Sequence, residues 1–476
     1  MRTLHLISLR FFLILITLSV SIGAEDSRKI AHLLNRLSFG PKTGDIELVE
    51  KQGIMPYIQQ QLTPESIPLP NAMSDKLKQF PSATLSCRDL YLKANKKPLE
   101  AQKIFLESTE MRLLYSTENP RQLYELMVEF WFNHFNIAAT KGFDRFWVGA
   151  FERDAIRPHA MGNFLYLLLA TAQHPAMFFY LDNWQNKRPK KNKKEGINEN
   201  YAREVMELHT LGVDGGYTQA DVIALAHILT GWGFSLIDHP RKPIGTFYFD
   251  PAAHDPSPQL FLGKSFSGQG EQEGIKALTL LANHASTAKH IAFKLAQYFV
   301  SDQPPQELVR MLATRFVSSG GDITTILKTL FTHPAFWDSS VYNIKFKTPY
   351  RYTISAIRLS GVDVYNYRPL VNQLRLQGMP VYGHETPDGY KNIKEAWLNP
   401  DSLLTRISFA SALAKGQLPL NAKAGSEKFK KTPVDPITIE KIATSYFSRS
   451  IVDIVLKAPK VDHAGMFLAN PEMMRY

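Results

Sequence analysis

Helical periodicity constrains this chain more than any other feature. Apolar side chains return every three or four positions through most of it, and Pro, Gly and Asn separate segments of helical length. The expected fold is mainly α, a large multi-helix domain with a small β-hairpin element. Leu123, Met127, Phe130, Trp131 and His134 fall on one stripe after the helix-starting Asn119-Pro120. Residues 162–181 are nearly continuous apolar chain. Pro175 must split them into two helices, because it offers no N–H and clashes with the preceding turn. Asp214-Gly215-Gly216 reads as a tight turn, and Thr218-Gln-Ala-Asp221 as the capping box of a helix running to about Thr230. Further helices are expected over 286–300, 304–317, 322–332, 349–359 and 401–415, with Asp322 as an N-cap. The aromatic, alternating run Ile244–Asp250 is the best strand, and a hairpin with Gln259–Leu262 is the expected pairing.

Arg2 and Arg10 accompany an apolar run that ends at Ala24, and Glu25-Asp26 returns the chain to polar character. This is the pattern of a signal peptide over residues 1–24. An apolar run of about 14 residues is shorter than the roughly 20 that span a bilayer. The expected location is therefore periplasmic or secreted, with no membrane span after signal removal. Cys87 is the only cysteine, which excludes an intrachain disulfide and a Cys-rich zinc cluster. Residues 25–476 read as a single large helical domain carrying a basic loop over 187–197 and a linker-like stretch over 415–436, before C-terminal helices. The formal net charge of +11 favours anionic partners. For an exported protein, anionic polysaccharide fits that charge better than nucleic acid.

The densest chemical cluster is Asn198-Glu199-Asn200-Tyr-Ala-Arg203-Glu204-Val-Met-Glu207-Leu-His209. At positions i, i+3, i+4 and i+7, Asn200, Arg203, Glu204 and Glu207 share one face of an α-helix. Such a face can hold a cation or supply a general base; it can equally be a solvated face closed by an Arg203–Glu207 ion pair. His254-Asp255, after the expected strand, suits proton transfer or metal binding, or forms a turn on Asp255-Pro256. His134 is either a hydrogen-bonded core histidine or an acid/base group. Trp232 is either an aromatic plug or a sugar-stacking platform. The zinc-helix, nucleophile-elbow, phosphate-loop and dinucleotide signatures are absent, so carboxylate-driven or metal-assisted chemistry is the main enzymatic option.

His32-Leu-Leu-Asn-Arg36-Leu-Ser-Phe-Gly-Pro41, Phe130–Phe135, Tyr180–Asn183, Asn198–Glu204, Glu207–Gly212, Leu229–Trp232, His254-Asp255, Lys294-Leu, Lys345–Pro349 and Ala396–Asn399 together resemble the bacterial family catalogued as domain of unknown function 1800. Met379 stands where that family commonly has Gln, and Tyr390 where it commonly has Trp. The resemblance implies export and a mainly helical fold, and brings no established reaction. Its members are often encoded beside a second exported family resembling phosphatases and sulfatases, which makes such a protein an implied partner.

Two readings follow. In the first, Glu204, Glu207, His254, Asp255 and His134 form the catalytic set of an enzyme acting on an anionic extracellular polymer. Asn183, Asn198, Asn200, Arg203 and Trp232 then bind substrate, and Glu199, Glu204 and His254 hold a divalent metal ion. In the second, the chain is a non-catalytic binding or assembly protein for surface polysaccharide or for the phosphatase/sulfatase-like partner. Convergence of His134, Glu204 and His254 in one pocket favours the first reading, and dispersal the second.

Overall fold

The structure is a computed structural model that describes residues 27–189, 197–238, 243–422 and 429–476. The signal-peptide expectation lies outside these residues, as do positions 190–196 of the basic loop and 423–428 of the linker-like stretch. The described chain is mainly helical, with two two-stranded antiparallel sheets. Helices at Ala285–Phe299, Gln306–Ser318, Ile323–Thr332, Pro349–Ser360 and Pro400–Ala414 match the expected spans to within two residues. Among the described residues no helix is long and apolar enough to cross a membrane.

Local chemistry explains the helix boundaries. Thr218 and Asp221 cap one helix reciprocally, and Asp322 Oδ1 accepts the Thr325 N–H at 2.7 Å. Pro175 divides the apolar run into Phe164–Ala172 and Pro175–Tyr180. The second helix is capped by His174, whose Nδ1 accepts the Ala176 N–H at 3.2 Å. His284 and His333 cap their helices in the same way.

The strand pairing differs from expectation. Phe247–Phe249 pairs with Trp232–Phe234, while Gln259–Phe261 forms its own hairpin with Lys264–Phe266. That hairpin turns at Leu262-Gly263, both with positive φ (46° and 71°), the conformation that matches strand twist in a two-residue turn. Leucine rarely adopts it, so the turn carries no Asn-Gly or Asp-Gly signal. The chain changes from α-helix (Asn200–Glu204) to π-helix (Val205–His209) within the Asn200–Glu207 cluster, yet its charged members stay together, since Glu207 acts on Glu204 and pairs with Arg203. Arg203 bonds to Glu199 at 2.8 Å and approaches Glu207 only to 3.9 Å.

One cluster of buried apolar residues extends from Ile30 to Met474. Set in it is an ion network that joins three helical segments. Arg157 bonds both oxygens of Glu125 at 3.0 Å and Glu152 at 2.8 Å, and Arg112 reaches the other Glu152 oxygen at 3.2 Å. Burial opposes the Glu152 charge, but Arg112 and Arg157 hold its carboxyl below the usual glutamate range. Breaking such a pair leaves a buried charge uncompensated, which costs about 3–5 kcal/mol. Replacing Glu152 with Gln is therefore expected to lower unfolding free energy by about 3 kcal/mol. Urea denaturation measures it, and a loss under about 1 kcal/mol would refute a structural role for the network.

Candidate functional site

A cavity of about 230 Å³ opens where three helices and one long loop meet. The last turns of Gln122–His134 supply Glu129, Asn133 and His134. Lys294 and Tyr298 line it from Ala285–Phe299, a helix that buries Ile291 and Leu295 in the core. The start of Pro349–Ser360 contributes Arg351 and its N-cap Thr348, and the segment around 379–393 adds Met379, Asp388 and Tyr390. Asn133 docks that segment by donating to Tyr390 O at 2.8 Å and accepting from Tyr390 N at 2.7 Å. Gly389 makes this approach possible. Its φ is +70°, and a Cβ there would lie 2.2 Å from Asn133 O.

The π-helix Val205–His209 supports His134 from outside the lining. The helix ends at His209, and side chains take up carbonyls of its last turn: Thr210 Oγ1 bonds Val205 O at 2.6 Å, His290 Nε2 bonds Leu208 O at 3.3 Å, and His134 Nε2 bonds His209 O at 3.0 Å. Donation to a carbonyl puts the His134 proton on Nε2. Nδ1 then carries a lone pair, which accepts from Lys294 Nζ at 2.9 Å. Burial, followed by the charge of Lys294, keeps His134 neutral well below the ordinary histidine range. Burial likewise brings the Lys294 ammonium down to about 8, against a smaller opposing pull from Asp388. Glu129 shifts the other way. Burial raises its carboxyl, outweighing the Tyr298 hydroxyl bond at 2.7 Å and the charges of Arg112 and Arg351.

Of the expected site residues, His134 lines the cavity, and Asp388 connects it to Glu204. Asp388 lies on the cavity wall, and its charge acts on Glu204, whose carboxyl is raised by burial first and by Glu207 next. His254 stands apart, so the expected meeting of His134, Glu204 and His254 does not occur. It is buried against Phe249, and its Nδ1 bonds Thr230 O at 2.9 Å. Its sequence neighbour Asp255 turns away and pairs with His227 at 2.6 Å, which dissolves the expected His254–Asp255 couple. The expected metal set fails for the same reason: Glu199 is engaged by Arg203 and by Gln219, each at 2.8 Å, away from His254. Asn183 donates to Trp232 O at 3.3 Å and Asn198 to Asp182 O at 3.2 Å, both as structural links, while Asn200 is exposed. Trp232 is a core plug packed against Gly274 and edge-on to Phe247, with no face left for a sugar.

A family model described as protein of unknown function (DUF1800) matches residues 32–475. The chain belongs to this family. No curated protein and no solved structure matches it significantly. In this DUF1800 chain the first family motif acts as a support for the cavity, since Asn35 O and Ser38 O accept from Arg351 Nη2 at 2.6 and 3.0 Å. Met379 and Tyr390, the two departures from the family pattern, both line the cavity.

Glu129, Lys294, Arg351 and Asp388 were not legible as site residues. They come from four separate segments, and a lysine on an amphipathic helix reads as solvated; only the Lys294-Leu family match marked its position. Cys87, Asp154 and His174 form the one compact group of metal-type ligands among the described residues. Its chemistry is closed. His174 Nδ1 is used as a helix cap, so the ring proton sits on Nε2 toward Cys87 Sγ at 3.7 Å, and Asp154 is gripped by Arg153 through two 2.6 Å bonds.

The buried histidines set a pH dependence. His174 and His209 are brought down to about 3 and His290 to about 4, chiefly by burial, and His134 lies well below its ordinary value. The unfolded chain binds these protons below about pH 6.5, whereas the folded chain does not. Stability is therefore full above that value and is lost as pH falls through it, by up to ~1.4 kcal/mol per pH unit for each group. Glu110, Glu129, Asp144 and Glu204, raised by burial, and His463, whose value is also raised, act in the opposite sense, while the lowered His32 and His159 add to the loss. Calorimetric melting between pH 8 and pH 4 is expected to show Tm falling steeply below about pH 6.5; a rise in that interval would contradict neutral burial.

Proposed function

We propose that this protein is an exported acid–base enzyme acting on an anionic extracellular polymer, and that the Lys294 cavity is its site. One observation carries the reading: a carboxyl raised by burial, Glu129, shares a single cavity with an amine lowered by burial, Lys294. Groups pushed in opposite directions are the natural proton donor and acceptor of an acid–base pair. Arg351 supplies attraction for an anion. It is 3% exposed, and its Nε and Nη1 lack hydrogen-bond partners. The volume of about 230 Å³ is below the roughly 300 Å³ at which ordinary ligand pockets begin, so the site suits one terminal unit and not the middle of a chain.

The polar group of Glu199, Arg203 and Gln219 favours the second reading, a binding protein for polysaccharide or a phosphatase/sulfatase-like partner. Turnover separates the two. Polygalacturonate, alginate and chondroitin sulfate are to be incubated with the mature protein and end-group release followed. The account expects release from at least one, reduced about 100-fold by Glu129→Gln with little change in Tm. Binding without release, unaffected by Glu129→Gln, would favour the second reading.

A further inference from the structure

We propose that Lys294 is a nucleophile that forms an imine with an aldehyde or ketone bearing an oxyanion. The inference rests on the cavity being the functional site and names its substrate class. Three groups stand in the order that activates a nucleophile: the Lys294 amine, a base within hydrogen-bond reach, and a third group that fixes the base. Lys294 Nζ is 2.9 Å from the His134 Nδ1 lone pair, and His134 Nε2–H is anchored on His209 O at 3.0 Å. The anchoring carbonyl is free because His209 ends its helix, where the last carbonyls have no intrahelical partner. Structural lysines of this fold are held against hydroxyl groups, as Lys347 is at 2.8 Å from Ser355 Oγ and 3.4 Å from Tyr446 Oη, or against a carboxylate. Lys345 bonds Asp302 in that manner, and Lys76 bonds Glu118 at 2.6 Å and Asp363 at 3.0 Å. Lys294 instead bonds the lone pair of a ring on the cavity wall, beside His209 and His290, and Asp388 favours its charge from a distance.

The cavity accounts for each step. The Nζ lone pair attacks the carbonyl carbon, forming the N–C bond and moving the C=O pair onto oxygen, which takes the Glu129 proton. Nζ passes one proton to His134 Nδ1. The C–O bond then breaks, the hydroxyl leaves as water with that proton, and the nitrogen lone pair closes the C=N bond. A protonated imine remains beside the Glu129 carboxylate, so charge and atoms balance, and hydrolysis reverses the sequence. Arg351, on the cavity wall, gives the substrate's oxyanion its counter-charge. The open-chain reducing end of an acidic glycan belongs to this class.

The test uses the mature protein with glyoxylate or glucuronate as probe and cyanoborohydride as trap, and peptide mass spectrometry to locate the alkylated lysine. At pH 7.5 Lys294 is expected to be labelled at least about tenfold faster than exposed lysines such as Lys42 and Lys264, because a larger fraction of it is unprotonated. The labelling rate should rise through about pH 8, set by Lys294 in the field of Glu129, His134, His209, His290, Arg351 and Asp388. Lys294→Arg should lose the label while keeping its Tm. Label confined to exposed lysines would overturn the imine. If glycan release persists in that case, the cavity remains the functional site; if release is also absent, the proposed function falls with it.

Discussion

Cations buried against aromatic rings and carbonyls are the interaction on which this structure depends. The Tyr476 ring lies between two guanidinium groups, with Arg351 at 3.9 Å and Arg36 at 4.8 Å from its centroid. Arg406 stacks on Phe346 and Tyr352, and Arg112 on Phe132, Tyr350 and Tyr382. Arg36 and Arg406 have no exposed surface, and each donates Nη2 to a backbone carbonyl, Val341 O and Lys347 O. A desolvated cation–π contact contributes about 2 kcal/mol, comparable with a charged hydrogen bond, so rings and carbonyls together offset much of the desolvation. They also join distant segments: Arg36 and Arg351 bring residues near both ends of the described chain to the start of Pro349–Ser360.

The cavity is a consequence of this arrangement. Arg351 is fixed by Asn35, Ser38 and Tyr476, and the residue forms part of the cavity wall. The Glu125–Arg157–Glu152–Arg112 chain continues toward the same place, because Arg112 lines the small void that adjoins the cavity at Glu129, Asn133, Met379 and Tyr390. Positive charge around Glu129 limits how far burial can raise its carboxyl, while Lys294, with no carboxylate bonded to it, has its basicity reduced. The stabilising network and the proposed acid–base pair therefore share one electrostatic environment.

Features governed by neighbours in sequence were legible in the chain. Pro175, the Thr218–Asp221 box and Asp322 act within one turn of backbone, and each lies where the sequence indicated. Features that depend on a backbone change were not. The π-helix at Val205–His209 looks like ordinary α periodicity, and the positive φ of Leu262 contradicts the preference of leucine. Adjacency misled at His254 and Asp255, since the chain leaves a turn at His254 and the two side chains take different partners, Thr230 and His227. His134 was legible as a polar group on an apolar stripe, but its partner Lys294 is 160 residues away and carries no local signature.

The most direct test of the account is nitrogen NMR on protein labelled at histidine and lysine, titrated from pH 5 to pH 9. The account predicts that His134 remains a neutral imidazole protonated on Nε2 throughout, and that the Lys294 amine titrates near 8. A His134 resonance that moves to imidazolium near pH 6.5, or a Lys294 amine that titrates near the ordinary value of about 10.4, would contradict it.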